Sequence, residues 1–265
     1  MRSIIKANLK RWLYGSCPGY SGSFPYYGVR TFFPRHSIVF ALACDQGIYE
    51  ASNIRLLQSA LRPNTTAFDV GANIGLLSIR LLHLEPSLTV VSLEPSPHNC
   101  ESLFRTHAAS SFKGRWEVLE LGLSDYDGES TFQCASPDLG AFDGFFDTGR
   151  AGKMTPINVK VTTLDRIWEM RGRPAVSAIK IDVEGSELSV LRGAYECLRS
   201  SRPVVLTEWC APNLKRINCP PEGLLTLATE LDYEVCAMPT LVKAVSAVHL
   251  RSLMEFGESF ALLPH

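Results

Sequence analysis

Thr65-Thr66-Ala67-Phe68-Asp69-Val70-Gly71-Ala72-Asn73-Ile74-Gly75 is the stretch that decides the fold. It reads as a short strand, a glycine turn and the first turn of a helix. Ala67, Phe68 and Val70 suit a strand buried on both faces, and Leu76, Leu77, Ile79, Leu81 and Leu82 continue as a largely apolar helix. Gly71 lets the backbone approach a ligand without a Cβ, and Gly75 lets the helix start close against the sheet. Asn73, between them, is of the non-glycine type that best tolerates a left-handed conformation. Such a turn presents free backbone N–H groups at a strand's carboxyl end, where open α/β sheets bind ligands.

The spacing narrows the ligand. A dinucleotide fingerprint has a third glycine beside the pyrophosphate, in G-x-G-x-x-G. Here the pattern is Gly71-x-Asn73-x-Gly75 with an acidic residue, Asp69, at the strand end. A carboxylate there repels a pyrophosphate and suits a ligand with an amino group. S-adenosylmethionine has that amino group and no phosphate. A nicotinamide-dependent oxidoreductase is the rival from another class, and Asp69 and the missing third glycine oppose it.

Outward from this stretch the pattern is regular. Strands are expected at about 65–70, 89–94, 116–122, 176–182 and 203–208, and helices near 74–84, 97–109, 186–199 and 221–231. This alternation implies an α/β fold, a mostly parallel sheet with helices on both faces. Residues 233–238 and 258–263 add two strands and an antiparallel edge. An insertion at about 125–163 breaks the alternation. Glu129 to Cys134 and Ile157 to Thr163 pair as a hairpin, and the glycine- and aromatic-rich residues 135–155 between them suit a substrate lid or an ordinary excursion. Upstream, residues 1–46 read as an N-terminal helix and irregular cap, with 47–265 as the main domain. Within the cap, Ile38 to Cys44 is expected as a strand; beyond it, Tyr49 to Leu61 is expected as a helix leading into the strand at 65–70. Residues 3–13 can form an amphipathic helix with Ile5, Leu9, Trp12 and Leu13 on one side. It is read as packed on its own domain, with a membrane-surface or substrate-side helix as the alternative.

Composition sets the class. With 46% hydrophobic and 20% charged residues the chain can bury a real core, and a net charge of −1 gives no global attraction to nucleic acid or an anionic membrane. Eight scattered cysteines form no C-x-x-C pair, which argues for reduced, mostly buried thiols in a cytoplasmic protein and against zinc. The longest apolar run is far short of the ~18 residues that span a bilayer. The N-terminus lacks the apolar core of a signal peptide.

The strand ends carry the chemistry. Glu94, followed by Pro95, lies 23 positions past Gly71 (94 − 71), close to the ~20 expected of an acidic residue gripping a ribose diol. Ser124 and Asp125 end the third strand; they suit an adenine amino group or a plain turn before Gly128. In Ile179-Lys180-Ile181-Asp182-Val183-Glu184-Gly185-Ser186-Glu187, the side chains of Lys180, Asp182 and Glu184 fall on one side. Ionisable groups at the end of a central strand are costly to bury unless they pair or work. Gly185 permits a sharp turn and Ser186 is expected to cap the next helix. Glu208 ends the neighbouring strand, so Asp182, Glu184 and Glu208 can converge on a substrate hydroxyl or on a divalent cation such as Mg²⁺.

Phe68 to Gly75, Glu94-Pro95-Ser96-Pro97 with Asn99, Leu123-Ser124-Asp125, Thr163-Leu164-Asp165 and Ile179 to Glu187 together resemble the FkbM family of class I S-adenosylmethionine-dependent methyltransferases. Gly47-Ile48-Tyr49-Glu50 resembles the helix start that precedes that family's first strand. The likeness spans about residues 47–208. It implies a seven-stranded Rossmann-like fold and methylation, most often at a hydroxyl of a sugar or polyketide natural product. It also implies that Asp69, Gly71, Ala72, Asn73 and Gly75 hold the methionine end, Glu94 and Pro95 the ribose, and Ser124 with Asp125 the adenine. Asp182, Glu184 and Glu208 then line the transfer site, with Asp182 as general base or positioning group. The expected partner is a small-molecule or glycan acceptor, not nucleic acid. An N-methyltransferase of the same fold and a non-catalytic nucleoside-binding module are the alternatives.

Overall fold

A computed structural model describes residues 2–265. The chain opens with helix α1 (Arg2–Gly15), a hairpin of β1 (Ser23–Tyr26) and β2 (Val29–Phe32), and helices α2 (Ile38–Gln46) and α3 (Ala51–Ala60). The alternating part follows as β3 (Thr66–Val70), α4 (Leu76–Leu84), β4 (Thr89–Leu93), α5 (Pro97–Ala109) and β5 (Trp116–Leu119). The insertion comprises β6 (Gly122–Leu123), β7 (Gly128–Cys134), a 3₁₀ turn at Pro137–Phe142 and β8 (Thr155–Thr162). After α6 (Leu164–Met170) come β9 (Val176–Ile181), α7 (Glu187–Arg192), α8 (Tyr195–Ser201), β10 (Val204–Glu208) and α9 (Ala211–Arg216). The chain ends with α10 (Gly223–Glu230), β11 (Tyr233–Ala237), β12 (Val242–Lys243), α11 (Ala247–Met254) and β13 (Ser259–Pro264).

The main sheet runs β12-β11-β13-β10-β9-β3-β4-β5. It is a Rossmann-like, mostly parallel sheet: the seven expected strands, plus the two-residue β12 at one edge. The antiparallel β13 lies inside the sheet, between β10 and β11. From β3 the chain proceeds to β4 and β5 on one side, then returns to β9 and β10 on the other. The order therefore reverses between β3 and β9, which opens a crevice at their carboxyl ends.

Residues of β3 alternate between two cores. Phe68 and Val70 join one, with α6, α7, α8, α10 and α11, while Ala67 joins the other, with α2, α3 and α4. Both are fully buried, so period-2 alternation selects the face without leaving either face wet.

Two expectations are corrected. Ile38 to Cys44 is helical, not a strand. Ser37 Oγ accepts from the Phe40 amide at 3.3 Å to start α2, and Gly47 at φ +72° ends it. A continuous apolar run fits a buried helix as well as a strand. Here Phe40 stacks on Phe33 at 3.8 Å between ring centroids, a contact made from outside the segment. The helix expected over 186–199 is broken in two around Gly193, where an added Cβ would lie 2.1 Å from the Ser124 carbonyl oxygen. Among the described residues, no helix is long and apolar enough to cross a membrane.

Candidate active site

The carboxyl ends of β3, β4, β9 and β10 close around a cavity of about 250 Å³, roofed by residues 140–150 of the insertion. Gly71 (φ +74°), Asn73 (φ +51°) and Gly75 (φ +83°) all take the left-handed conformation that the turn requires. The reason for each glycine lies in packing. A Cβ on Gly71 would stand 1.8 Å from the Asp182 carbonyl oxygen, where β3 and β9 run out side by side. A Cβ on Gly75 would stand 2.6 Å from Leu103 Cδ1.

Asp69 is fully buried in the cavity wall. Its Oδ2 accepts from Ser78 Oγ at 2.5 Å, while its Oδ1 has no hydrogen-bond partner among the described residues and lies 3.9 Å from Lys180 Nζ. Burial raises its pKa, opposed by Lys180 and Ser78. Lys180 Nζ donates to the Gly71 carbonyl at 2.9 Å and lies 3.2 Å from Asp182 Oδ2. Burial works against the ammonium, but Asp182, Asp69 and Glu50 outweigh it and hold the Lys180 pKa above the ordinary value. Glu94 accepts from the Asn73 amide at 2.8 Å and the Ser96 amide at 2.9 Å, so it braces the glycine turn from the next strand. Burial nevertheless pushes its carboxyl up to about 7. A carboxylate offers about four acceptor positions, leaving two for a diol.

Opposite stand the three carboxylates of Asp182, Glu184 and Glu208, with one ligand atom of each within 4.8 Å of the others. Glu184 sits at φ +52°, a conformation that non-glycine residues adopt at a cost. Its Oε2 accepts from Asn213 Nδ2 at 2.8 Å and Arg150 Nη1 at 3.0 Å. The same guanidinium lies 3.9 Å from Glu208 Oε1, and Glu208 Oε2 is buried without a hydrogen-bond partner among the described residues. Burial, then the nearby Asp182, pushes Glu184 up to about 7; burial, Asp182 and Glu184 push Glu208 well above the ordinary glutamate value. Ser186 makes no side-chain cap. Glu187 instead turns back, and its Oε1 accepts from the amides of Val183 at 3.2 Å and Gly185 at 3.1 Å.

Asp69, Gly71, Ala72, Asn73, Glu94, Pro95, Asp182, Glu184 and Glu208 thus line one cavity. Gly75 lies behind the wall, and Ser124 and Asp125 are outside the lining, with Ser124 packed against Gly193. Sequence reasoning missed four contributors. Tyr49 and Glu50 line the crevice; Glu50 is left-handed at φ +50°, and Gly47-Ile48-Tyr49-Glu50 was its one signal. Asp143 carries a buried, unpartnered Oδ2, and Arg150 reaches the carboxylate cluster. Both lie on the insertion, where no periodicity marks them. The insertion is tied down by Asn73 Nδ2 and Asn99 Nδ2, which donate to the Gly140 carbonyl at 3.2 and 2.9 Å, and by Phe145 packed on Gly122.

The sequence model described as the methyltransferase FkbM domain matches residues 69–256. Among curated proteins, the hexuronic acid methyltransferase AglP of Haloferax volcanii is 30% identical, over 59% of this chain and 61% of its own length. The 31-O-demethyl-FK506 methyltransferase FkbM of Streptomyces tacrolimicus is 31% identical, over 51% and 62%. The 2-O-methyltransferase NoeI of Sinorhizobium fredii is 24% identical, over 63% and 72%. The matches thus span about three fifths of the first two relatives. The matched region runs from Asp69, at the head of the glycine turn, past all three carboxylates of the cluster, and with it this chain belongs to the FkbM methyltransferase family.

Proposed function

We propose that the protein transfers a methyl group from S-adenosylmethionine to a hydroxyl of a sugar or polyketide-type acceptor. The observation that carries this reading is one crevice with two chemistries: a wall of Asp69, Gly71, Asn73 and Glu94, facing a carboxylate cluster in which Glu184 and Glu208 have raised proton affinity. The descriptions of the hexuronic acid and FK506-directed relatives support the acceptor class. Eight unpaired thiols support a reducing compartment, the cytoplasm.

The residues present fit the donor. Among the described residues, Asp69 Oδ1 makes no hydrogen bond and stands 3.9 Å from Lys180 Nζ, so it has acceptor capacity left for an ammonium; Glu94 has acceptor positions left for a ribose diol, and Asp143 Oδ2, also without a hydrogen bond, suits an amino group such as that of adenine. Bound S-adenosylmethionine supplies an electrophilic methyl carbon and leaves as a neutral thioether. Asp182, held by Lys180 at 3.2 Å, orients the acceptor hydroxyl. Glu184 takes the hydroxyl proton, since its pKa of about 7 matches the task near neutral pH. Alignment is the larger part of the demand, worth roughly 7–11 kcal/mol when complete.

Calorimetry tests the donor site directly. S-adenosylmethionine and its demethylated product are expected to bind, and Glu94→Gln is expected to weaken both about 10–100-fold by replacing a charged acceptor with an amide. Absence of heat with either nucleoside removes the proposal.

The carboxylate cluster has the hard oxygen donors of a Mg²⁺ site. A cation already stands there, however: the Arg150 guanidinium contacts Glu184 and lies near Glu208. A divalent ion would have to displace it. Methyl transfer is therefore expected to proceed at full rate in EDTA, and a rate restored only by added Mg²⁺ would reassign the cluster to metal.

A further inference from the structure

Helix α1 is mounted with its apolar side outward. Ala7, Arg11 and Tyr14, at i, i+4 and i+7, form the inward side; Ala7 is buried and Arg11 pairs with Asp45 of α2. Roughly opposite, Ile5, Leu9 and Trp12 repeat the same spacing and are 62%, 58% and 58% exposed. Ordinary amphipathic packing would bury that stripe. Lys6 and Lys10 are exposed beside it, and residues 2–15 contain four basic residues and no acidic one.

We infer that α1 is an interfacial helix that docks the protein on an anionic phospholipid surface. Leu, Ile and Trp on one side with lysines along the edge is the combination that enters the headgroup region apolar side down. Tryptophan suits that boundary because its ring is apolar and its N–H stays near water. The lysines complement anionic headgroups. A second copy fits less well. Pairing the stripe with itself across a two-fold axis would set Lys6 and Lys10 against the same lysines of the partner. The helix also has a short route to the crevice, since α1 packs on α2, and α2 supplies Ile38, Val39 and Leu42 to the cavity wall.

The fluorescence of the protein makes the test direct. Trp116, Trp168 and Trp209 are buried, and Trp12 is the exposed tryptophan. The full chain is expected to float with phosphatidylcholine vesicles that contain phosphatidylglycerol, with a blue shift of emission that Trp12→Phe removes. Leu9→Glu is expected to abolish flotation while leaving the melting temperature unchanged, because the side chain replaced lies in solvent. Replacing Lys6 or Lys10 with glutamine should weaken vesicle binding about fivefold each. The inference is overturned by equal partition onto pure phosphatidylcholine, by no flotation at all, or by a Leu9→Glu variant that still floats. Sedimentation reporting a dimer that Leu9→Glu disperses would give the face to a second copy instead.

Discussion

Glu184→Gln is expected to lower turnover about 100- to 10,000-fold, the range for loss of a general base, with little change in affinity for the methyl donor. Gln is nearly isosteric and its amide oxygen can still accept from Asn213 and Arg150, so the turn at φ +52° survives while the proton acceptor and the charge facing Arg150 are lost. A pH profile makes the assignment specific. Burial raises the Glu184 carboxyl from 4.5 to about 7, so the carboxylate is scarce below that value and the rate should climb as pH rises through it. Stability runs the other way. A raised folded-state pKa gives a contribution present below the unfolded value and lost as pH rises through the folded one. The protein without ligand should therefore melt at lower temperature at pH 8 than at pH 5, and Glu184→Gln should flatten both trends. Glu94 and Glu187, also near 7, share the stability trend, which the variant reduces without erasing. Asp182→Asn is expected to cost less, mainly in the binding of the acceptor. Steady-state kinetics across pH decides the matter: an Asp182→Asn variant that loses the ascending limb, beside a Glu184→Gln variant that keeps it, would exchange the two roles.

Gly71→Ala is expected to be the most destabilising exchange in the site. The left-handed backbone alone costs an L-residue about 1–2 kcal/mol. The added carbon would also lie 1.8 Å from the Asp182 carbonyl oxygen, which is backbone and cannot swing aside. Forced overpacking of that kind adds roughly 1–3 kcal/mol. Together these predict a loss of about 2–5 kcal/mol and, at about 2–4 °C per kcal/mol, a melting temperature lower by about 4–20 °C. Gly172→Ala is the control. It too has a positive φ, +75°, but nothing lies within 4 Å of the added carbon. It should cost the conformational part alone. Equal losses in the two variants, measured by denaturant titration, would show that the close approach of the two strand ends is not what fixes Gly71. Any Gly71→Ala protein that folds should also transfer methyl groups slowly, since relieving the contact moves Asp182.

Some of this molecule is written in short range. The strand, turn and helix at 65–84 involve neighbours in sequence, so alternation and two glycines suffice to read them. Glu94, Asp182 and Glu208 are legible for the same reason. Each ends an apolar run, and parallel strands of one sheet bring such ends to one edge. The apolar run 38–44 was not legible, because apolar residues also fill the positions away from the core, the exposed Leu42 among them, and erase the periodicity that separates helix from strand; Phe33 and the Ser37 cap decide it from outside the segment. Nor does sequence tell that Ser124 turns to Gly193 while Asp143 and Arg150, some 20 residues further on, turn to the crevice. Those placements depend on where a long glycine-rich insertion comes to rest. What holds it, the two asparagines on the Gly140 carbonyl and Phe145 on Gly122, comes from contacts between residues distant in the chain. The sequence by itself determined the sheet, the donor-binding turn and the acidic strand ends, because these follow from local pattern and from topology. The tertiary structure alone decided the cation among the carboxylates, the raised proton affinities of Glu184 and Glu208 and the outward stripe of α1, because burial and pairing are properties of packed neighbours.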